Sequence, residues 1–455
     1  MSKRSLGTWL ALSVGLILAL AATAAMAESH ARIVRLSDIQ GPVQIDRNTG
    51  QGYEKATVNM PLVEGMKLAA KAEGRAEVEF EDGSTVRITP NTKIEFTALS
   101  LQDSGAKVST VTLTEGLAYF DYTAKQKDNV FTVIFKDEKV RPEEAVRFRV
   151  NLEEATAVVA VFNGSLKLDG LSGPVEVSKN RSAIFDLTNG NKSTIAKNIE
   201  EEPFDAWDKQ QAKYQQEYAS RGSYHNYPYG YGVSDLNYYG NYTNVPGYGM
   251  MWQPYFAGVG WDPFMDGSWM FYPGAGYTWV SAYPWGWMPY RYGAWNFVPG
   301  YGWMWAPGGF GGGWATVVPV TNPPIRFKPP APPVRGTATV AVGRPVPSSF
   351  PTSRLVVRSD SAGLGVPRGA VSNMSKVAHQ AQTTGVATVH PAPSRTPDMM
   401  APTFGGSHAS TGASHGSTAG SHASTGGGHM NTGGGGRMSS GGGGGGHTSA
   451  PSRPH

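Results

Sequence analysis

The side chains best placed to do chemistry are three glutamates that alternate with apolar residues between positions 75 and 88. Glu77, Glu79 and Glu81 could act as paired carboxylates in general acid–base catalysis. A period of two is typical of a β-strand, whose successive side chains point to opposite faces of a sheet. Because the intervening apolar residues need the buried face, the pattern predicts that the glutamates lie on the solvent face and catalyse nothing.

Two further sets of polar residues could bind metal ions. Asp137, Glu138, Glu143 and Glu144 flank Pro142, but the ligand-and-glycine spacing of a calcium loop is missing, which favours a solvated loop. Imidazoles recur every seven residues near the C-terminus, at His408, His415, His422 and His429. A flexible glycine-rich tail does not preorganise such ligands. The chain has no cysteine, which excludes thiolate metal sites and a cysteine nucleophile. Because no convergent acid, base or nucleophile is apparent either, the sequence predicts no metal, no cofactor and no catalytic residue.

The best candidate for a binding function is a segment rich in Trp, Tyr, Gly and Pro. These aromatic side chains offer large, rigid surfaces that can stack on sugars or on a protein partner. Packing on one another is the favoured alternative, because hairpins need a core before they can present a surface. Nucleic acid is not an expected partner, since Arg291 is nearly alone among the aromatics. The candidate partner-binding residues are Trp252, Tyr255, Trp269, Trp279, Trp287, Tyr290, Trp295, Trp303 and Trp305.

The N-terminus has the features of an export signal. Lys3 and Arg4 precede an apolar stretch at residues 10–22, and Ala25 and Ala27 have the spacing of a cleavage site. We therefore expect a signal peptide at residues 1–27 and a mature protein in the periplasm or outside the cell. No later apolar run is long enough to span a bilayer, so no transmembrane segment is expected after cleavage.

Regularly spaced alternating strands predict an all-β domain, a sandwich or a barrel, at residues 28–200. In the hairpin at 75–88, a three-residue loop would place Val78 opposite Ile88 and make an exposed ion pair between Glu79 and Arg87. Glu115 and Gly116 are predicted to form a turn between two strands. Further strands are predicted at 108–113, 117–122, 131–135, 145–150, 157–162, 166–168, 175–177 and 183–187.

Four segments of different composition follow this domain. Residues 201–222 predict an amphipathic helix that begins at Pro203. The aromatic segment at 223–316 contains a repeat, in which the pattern from Gly267 to Trp279 recurs from Gly293 to Trp305. Each copy predicts a strand, a Pro-Gly turn and a second strand. Trp287, Pro289 and Tyr290 also echo Trp252, Pro254 and Tyr255. The remaining predictions are a disordered basic linker at 317–402 and a disordered low-complexity tail at 403–455.

The first domain resembles the FecR family. The motif residues that carry this resemblance are Pro61, Leu62, Gly65, Leu68, Gly74, Arg75, Ala76, Glu77, Val78, Phe80, Asp82, Gly83, Ser84, Arg87 and Ile88. The resemblance implies a β-rich periplasmic module. The best-known members sit beside an inner-membrane helix and relay the state of an outer-membrane receptor to a sigma factor. The present sequence departs from the family pattern at Val146, Arg147, Lys179 and Asn180, and its aromatic tail resembles that of uncharacterised exported FecR-like proteins.

Two functions therefore stand as hypotheses. The first is a non-enzymatic sensory or interaction module that binds an envelope protein or polysaccharide. The second is a structural envelope or matrix component that self-associates through its aromatic repeats. An enzyme acting on wall polysaccharide is a remote third, because it would need two carboxylates facing one cleft.

Overall fold

The computed structural model describes residues 32–170, 173–310, 317–334, 336, 338–344 and 354–390. The chain divides into two compact units, residues 1–398 and 399–455, and the described residues all belong to the first. The predicted signal peptide at 1–27, the tail at 403–455 and its four histidines lie outside the described residues.

Two large β-sheets form the N-terminal half of this unit. In the first sheet the strands follow the spatial order β4 (Pro61–Leu62), β1 (Val34–Gln40), β6 (Arg75–Glu79), β7 (Thr85–Ile88), β9 (Lys107–Tyr122), β12 (Val146–Leu152), β13 (Thr156–Asn163), β16 (Arg181–Asp186) and β17 (Lys192–Ala196). In the second sheet the order is β3 (Tyr53–Lys55), β2 (Val43–Asp46), β5 (Lys67–Ala70), β8 (Lys93–Leu101), β9, β10 (Val130–Phe135), β11 (Glu138–Val140), β14 (Ser165–Gly170) and β15 (Gly173–Ser178).

The two sheets pack face to face as a sandwich, and the sheets are not closed into a barrel. One apolar core draws buried side chains from both, such as Val86 and Phe120 from the first sheet and Leu68 and Val133 from the second. The alternation of apolar residues in the sequence produces this core, since every second side chain of a strand faces the same way. The prediction of an all-β fold is confirmed, and of the two predicted alternatives the open sheets exclude the barrel.

Strand β9 belongs to both sheets. Its first half pairs with β8 in the second sheet, and its second half pairs with β7 and β12 in the first. The predicted turn at Glu115 and Gly116 is therefore wrong, because the chain bends there without reversing. Gly116 has φ +86°, a left-handed conformation that glycine adopts without strain.

The hairpin of β6 and β7 has a different register from the predicted one. Val78 lies opposite Val86, and Glu77 lies opposite Arg87. The Phe80 N–H donates to the Ser84 carbonyl at 2.9 Å, which closes a three-residue loop at 81–83, one residue earlier than expected, and shifts each cross-strand partner by two residues. The odd loop length is confirmed, and the apolar face is kept because a displacement of two residues does not change the side of the sheet.

The aromatic segment forms hairpins, as predicted. A five-stranded sheet has the order β18 (Gly240–Val245), β19 (Gly249–Pro254), β23 (Gly302–Ala306), β22 (Ala294–Val298) and β24 (Val320–Thr321). A three-stranded sheet contains β21 (Gly276–Ser281), β20 (Gly267–Tyr272) and β25 (Val340–Val342). The predicted similarity between Trp252-Pro254-Tyr255 and Trp287-Pro289-Tyr290 does not extend to the structure. Trp252 and Pro254 lie on strand β19, whereas Pro289 and Tyr290 lie in a 3-10 helix, Met288–Tyr290.

Three α-helices complete the described structure. Helix α1 (Asp205–Ala219) confirms the predicted amphipathic helix, with Trp207 and Tyr214 buried on one face. Helix α2 (Val233–Tyr239) follows it within the aromatic segment and was not predicted. Helix α3 (Met374–Thr384) lies between the strands β26 (Leu355–Arg358) and β27 (Val386–Val389), which pair with each other.

The predicted disordered linker at 317–402 is wrong for its described residues. Leu355, Val357, Met374 and Ala378 are buried in the same cluster as the tryptophans of the hairpins. The overall composition of the segment conceals these short apolar patterns. Local signals were present, because Asn373 caps α3 through a hydrogen bond to the Lys376 N–H and Gly385 ends the helix with φ +81°.

Candidate functional site

The outer face of the first sheet carries a cluster of buried charges. We define the buried charge cluster as Arg35, Glu77, Glu79, Arg87, Asp208, Asp235 and Arg368. Strands β1, β6 and β7 supply the first four residues, and helices α1 and α2 supply the two aspartates. Arg368 comes from the segment before α3, so the cluster joins parts of the chain that are far apart in sequence.

Glu77 accepts hydrogen bonds both from the first sheet and from the segments that cover its outer face. The Arg87 Nε donates to its Oε2 at 2.7 Å, and the Arg368 Nη1 donates to its Oε1 at 2.7 Å. Ser37 Oγ and Gln215 Nε2 also donate to Glu77 Oε1, at 2.7 and 3.1 Å. Its carboxylate is thus fully committed to contacts within the protein.

Asp235 is the second carboxylate that connects the first sheet to the segments covering it. Arg368 makes a fork with it, from Nη2 at 2.6 Å and Nε at 2.8 Å. Arg35 Nη1 lies 2.7 Å from Asp235 Oδ2, and the Tyr214 hydroxyl donates to Oδ1 at 2.9 Å. This bidentate Arg–carboxylate geometry is the strongest form of such a contact.

Asp208 on α1 extends the network along the sheet. Arg87 Nη1 and Arg147 Nε contact its two oxygens at 2.8 and 2.7 Å. One helical turn earlier, Asp205 accepts from Arg149 Nη1 at 2.5 Å and from the Tyr119 hydroxyl at 2.8 Å. Helix α1 is therefore fixed to the first sheet by two carboxylates in addition to its apolar face.

The two central glutamates have opposite protonation behaviour. Burial raises the pKa of Glu77, but the neighbouring Arg87 and Arg368 guanidiniums outweigh it and lower the pKa to about 2. Burial also raises the pKa of Glu79, which reaches about 7 despite the Arg35 guanidinium, because Asp235 and Glu77 are nearby negative charges. Glu79 Oε2 accepts from Arg35 Nη1 at 3.1 Å and from the Gly232 N–H at 2.9 Å.

The prediction that Glu77, Glu79 and Glu81 face solvent is wrong. They do alternate with the core residues, but the second face of the sheet is covered by α1, α2 and Arg368 rather than by water. Glu81 is also buried and accepts a fork from Arg32, at 2.6 and 2.8 Å. Likewise, the predicted exposed pair of Glu79 with Arg87 is replaced by buried pairs of each residue with other partners.

The sequence interpretation missed Arg35, Asp208, Asp235 and Arg368 as members of the site. One signal pointed to them, since the face opposite the core carries charges of both signs on adjacent strands. A solvated face does not require this pairing, whereas a covered face does, because buried charges are stable only when paired.

The aromatic candidates form a core. Trp252, Trp269, Trp279, Trp287, Tyr290, Trp295, Trp303 and Trp305 are each at most 5% exposed, and Tyr255 is half-buried. The Tyr283 and Trp285 rings stack at 5.0 Å inside the same cluster. Eight of the nine residues therefore lie in the interior, which agrees with self-packing and removes them as a contact surface of the folded chain.

The aromatic hairpins follow one pattern three times, and the sequence analysis recognised two of them. The missed copy has the turn Pro246-Gly247-Tyr248-Gly249, and the motif Pro-Gly-x-Gly, visible in the sequence, could have found it. In each hairpin the aromatic residue four positions before the proline pairs with a tryptophan six positions after it. These pairs are Tyr242 with Trp252, Trp269 with Trp279, and Trp295 with Trp305.

The acidic segment around Pro142 gives no cluster of ligands. Glu138 is buried, and its Oε1 accepts from Asn191 Nδ2 at 2.8 Å, whereas Asp137, Glu143 and Glu144 are exposed. Within the described ranges, no group of three His, Cys, Asp or Glu side chains is arranged to hold a metal ion. The helices of the described residues include none that is long and apolar enough to cross a membrane.

The fold and the site define an all-β protein in which a sandwich domain is joined through buried ion pairs to an aromatic hairpin domain. Residues 66–167 match the FecR protein family, which confirms the resemblance predicted from the sequence. Residues 233–322 match a family of unknown function, DUF6600. Glu77, Glu79 and Arg87 of the buried charge cluster lie in the first match and Asp235 lies in the second.

Two crystal structures described as a candidate anti-sigma factor from Parabacteroides distasonis ATCC 8503 are similar to this chain. They were determined at 1.65 and 2.50 Å resolution, share 21% identity with it and give TM-scores of 0.27 and 0.26. The similarity covers 31% of this chain and 63% of each solved chain, so this chain spans less than two thirds of their length. No curated protein sequence matches the chain.

Proposed function

We propose that this protein is a non-enzymatic sensory or interaction module of the cell envelope that binds a partner through its FecR-like domain. The observation that carries the proposal is the FecR family match over residues 66–167. The charged N-terminal residues, apolar stretch and small-residue spacing at positions 1–27 support export.

The outer face of the second sheet is the surface that a partner would use. The first sheet is covered on its outer face by α1 and α2, whereas the second sheet presents a row of polar side chains there. Thr97 and Thr112 are hydrogen-bonded to each other on this face at 3.1 Å, and Ile134 pairs with both Thr112 and Lys139 on neighbouring strands. A broad, mixed surface of this kind suits protein contact better than it suits a small substrate.

The buried charge cluster supports a structural role rather than catalysis. A general acid or base must reach a substrate proton, but Glu77, Glu79 and Asp235 are each at most 2% exposed and paired with guanidiniums of the same chain. The cluster therefore acts as a fixed connection between the two family segments. Self-association through the aromatic repeats has less support, because it needs the tryptophans that are buried.

Site-directed photocrosslinking in living cells tests this function. A photoreactive side chain at Thr97 or Lys139 of the full chain should give a discrete crosslinked product in the envelope fraction. Ile325 is the matched control, because it is fully exposed and lies far along the chain from the second sheet. Identical product patterns from all three positions, or a protein confined to the cytoplasm, would refute the proposal.

A further inference from the structure

Arg291 differs from the other buried arginines of the described structure. The others each contact a carboxylate within 4.0 Å; they are Arg32, Arg35, Arg47, Arg87 and Arg149. Arg291 is 4% exposed, and no carboxylate of the described residues lies within that distance of its guanidinium. A buried guanidinium remains charged, so an unpaired one is costly unless an anion compensates it.

The contacts of Arg291 occupy one part of its guanidinium. Its Cζ lies 4.7 Å from the centre of the Trp287 ring, which places the cation over an aromatic face. Its Nη1 donates to Thr278 Oγ1 at 3.2 Å. The Nε and Nη2 atoms make no hydrogen bond with the described residues, although they form the edge that grips a carboxylate side-on.

This donor edge retains contact with solvent. The fully enclosed polar atoms without a partner include Arg87 Nη2 and Trp287 Nε1, but not Arg291 Nε or Nη2. The small exposed fraction of Arg291 therefore includes its two unused donors. Burial lowers the pKa of Arg291, although the neighbouring Tyr272, Tyr292 and Tyr231 act in the opposite direction.

We propose that Arg291 is the centre of a binding site for a small organic carboxylate, gripped through Nε and Nη2 while the Trp287 ring holds the guanidinium in place. Charge matching favours a carboxylate over phosphate, because one singly charged anion neutralises one guanidinium. Arg47, a buried arginine that stacks on the Tyr272 ring, is already paired with Glu54. This inference does not depend on the proposed function, since it concerns the aromatic domain and not the FecR-like sandwich.

Thermal unfolding of the full chain in sodium acetate, compared with sodium chloride at equal ionic strength, tests the site. An anion that binds only the folded state raises the unfolding temperature as its concentration rises. We expect such a rise for the wild-type chain in acetate and its loss in Arg291→Met. Arg326→Met is the matched control, because Arg326 is exposed and the charge change is the same. Its response to acetate should equal that of the wild type.

A second variant and a second anion complete the test. If Arg291→Met does not fold, Arg291→Lys retains the charge but lacks the fork, and its apparent dissociation constant for acetate should be at least about fivefold higher. Sodium phosphate should bind more weakly than acetate to the wild type. Equal unfolding temperatures of the wild type in acetate and chloride, or an unchanged acetate response in either Arg291 variant, would overturn the proposal.

Discussion

At the scale of residues, Glu77 and Glu79 show that two identical side chains on one strand face can have opposite charge preferences. Both are buried on the same side of β6, but Glu77 contacts two guanidiniums from opposite sides whereas Glu79 contacts one. Desolvation opposes ionisation of both, so the number of cations decides the outcome. The pKa values of about 2 and about 7 follow from this difference.

Glu79 and Glu77 should change the stability of the protein with pH in opposite directions. Glu79 has a folded-state pKa of about 7, above its ordinary value of 4.5, so the folded state binds more protons and stability falls as pH rises from 4.5 to 7. The substitution Glu79→Gln should remove a decline of up to about 3 kcal/mol in the free energy of unfolding over that pH range. Urea unfolding at pH 4.5 and 7.5 measures this difference.

Glu77→Gln is the contrasting variant. The folded-state pKa of Glu77, about 2, lies below 4.5, so its contribution to stability is present above pH 4.5 and is lost as pH falls through 2. At pH 7 the substitution leaves Arg87 and Arg368 short of a countercharge and should cost about 3–5 kcal/mol. The same pH slope in both variants would contradict the assignment of the two pKa shifts.

At the scale of elements, strand β9 is the connection that makes one sandwich from two sheets. Gly116 lies at the point where β9 passes from one sheet to the other, and its backbone approaches the segment around Thr92 closely. A Cβ at this position would lie 2.7 Å from both the Asn91 carbonyl oxygen and Thr92 Cα. These are backbone atoms, which cannot move without disturbing the pairing of β8 with β9.

Substitution of this glycine should therefore destabilise the protein strongly. We expect Gly116→Ala to cost about 3 kcal/mol or more, because the positive φ and the backbone clash add. Gly105→Ala is the control, since Gly105 has φ +82° but nothing within 4 Å of the added Cβ, and it should cost about 1 kcal/mol. Equal unfolding free energies for the two variants would show that close approach at Gly116 has no effect.

At the scale of the whole molecule, the C-terminal part of the described chain completes the aromatic core. The Trp285 Nε1 donates to the Ala362 carbonyl at 2.6 Å, and the Tyr239 hydroxyl donates to the Val366 carbonyl at 2.7 Å. Arg344 pairs with Asp266 at 2.7 Å, and Arg368 closes the buried charge cluster. The family match ends at residue 322, but the folded unit extends beyond it.

A truncation after residue 334 should consequently lower the melting temperature of the protein by more than about 10 °C, because it exposes buried aromatic surface and removes Arg368. A truncation after residue 390 is the control, since it retains every described element. Circular dichroism during heating measures both. A melting temperature for the shorter chain equal to that of the control would show that residues 335–390 add no stability.

The sequence by itself determined the local structure of this protein. The alternation of residues in the FecR-like segment predicted the strands and the apolar face, and the aromatic repeat predicted the hairpins, since a period of two and a Pro-Gly turn are properties of neighbouring residues. The segment from Gly74 to Ile88 could be matched to a family pattern for the same reason, since that pattern also consists of neighbouring residues. Helix α1 was also predictable, because Trp207 and Tyr214 lie on one helical face.

Only the tertiary structure decided what covers each face. Alternation places Glu77 and Glu79 opposite the core, but Asp235 and Arg368 reach them from far along the chain, and nothing near Glu77 in the sequence indicates that contact. The same reason explains why the sequence did not reveal that the tryptophans and the segment 354–390 are buried. Each of them is buried by contact with the other. Burial is a property of the whole assembled chain, so composition and spacing could not distinguish a contact surface from a core.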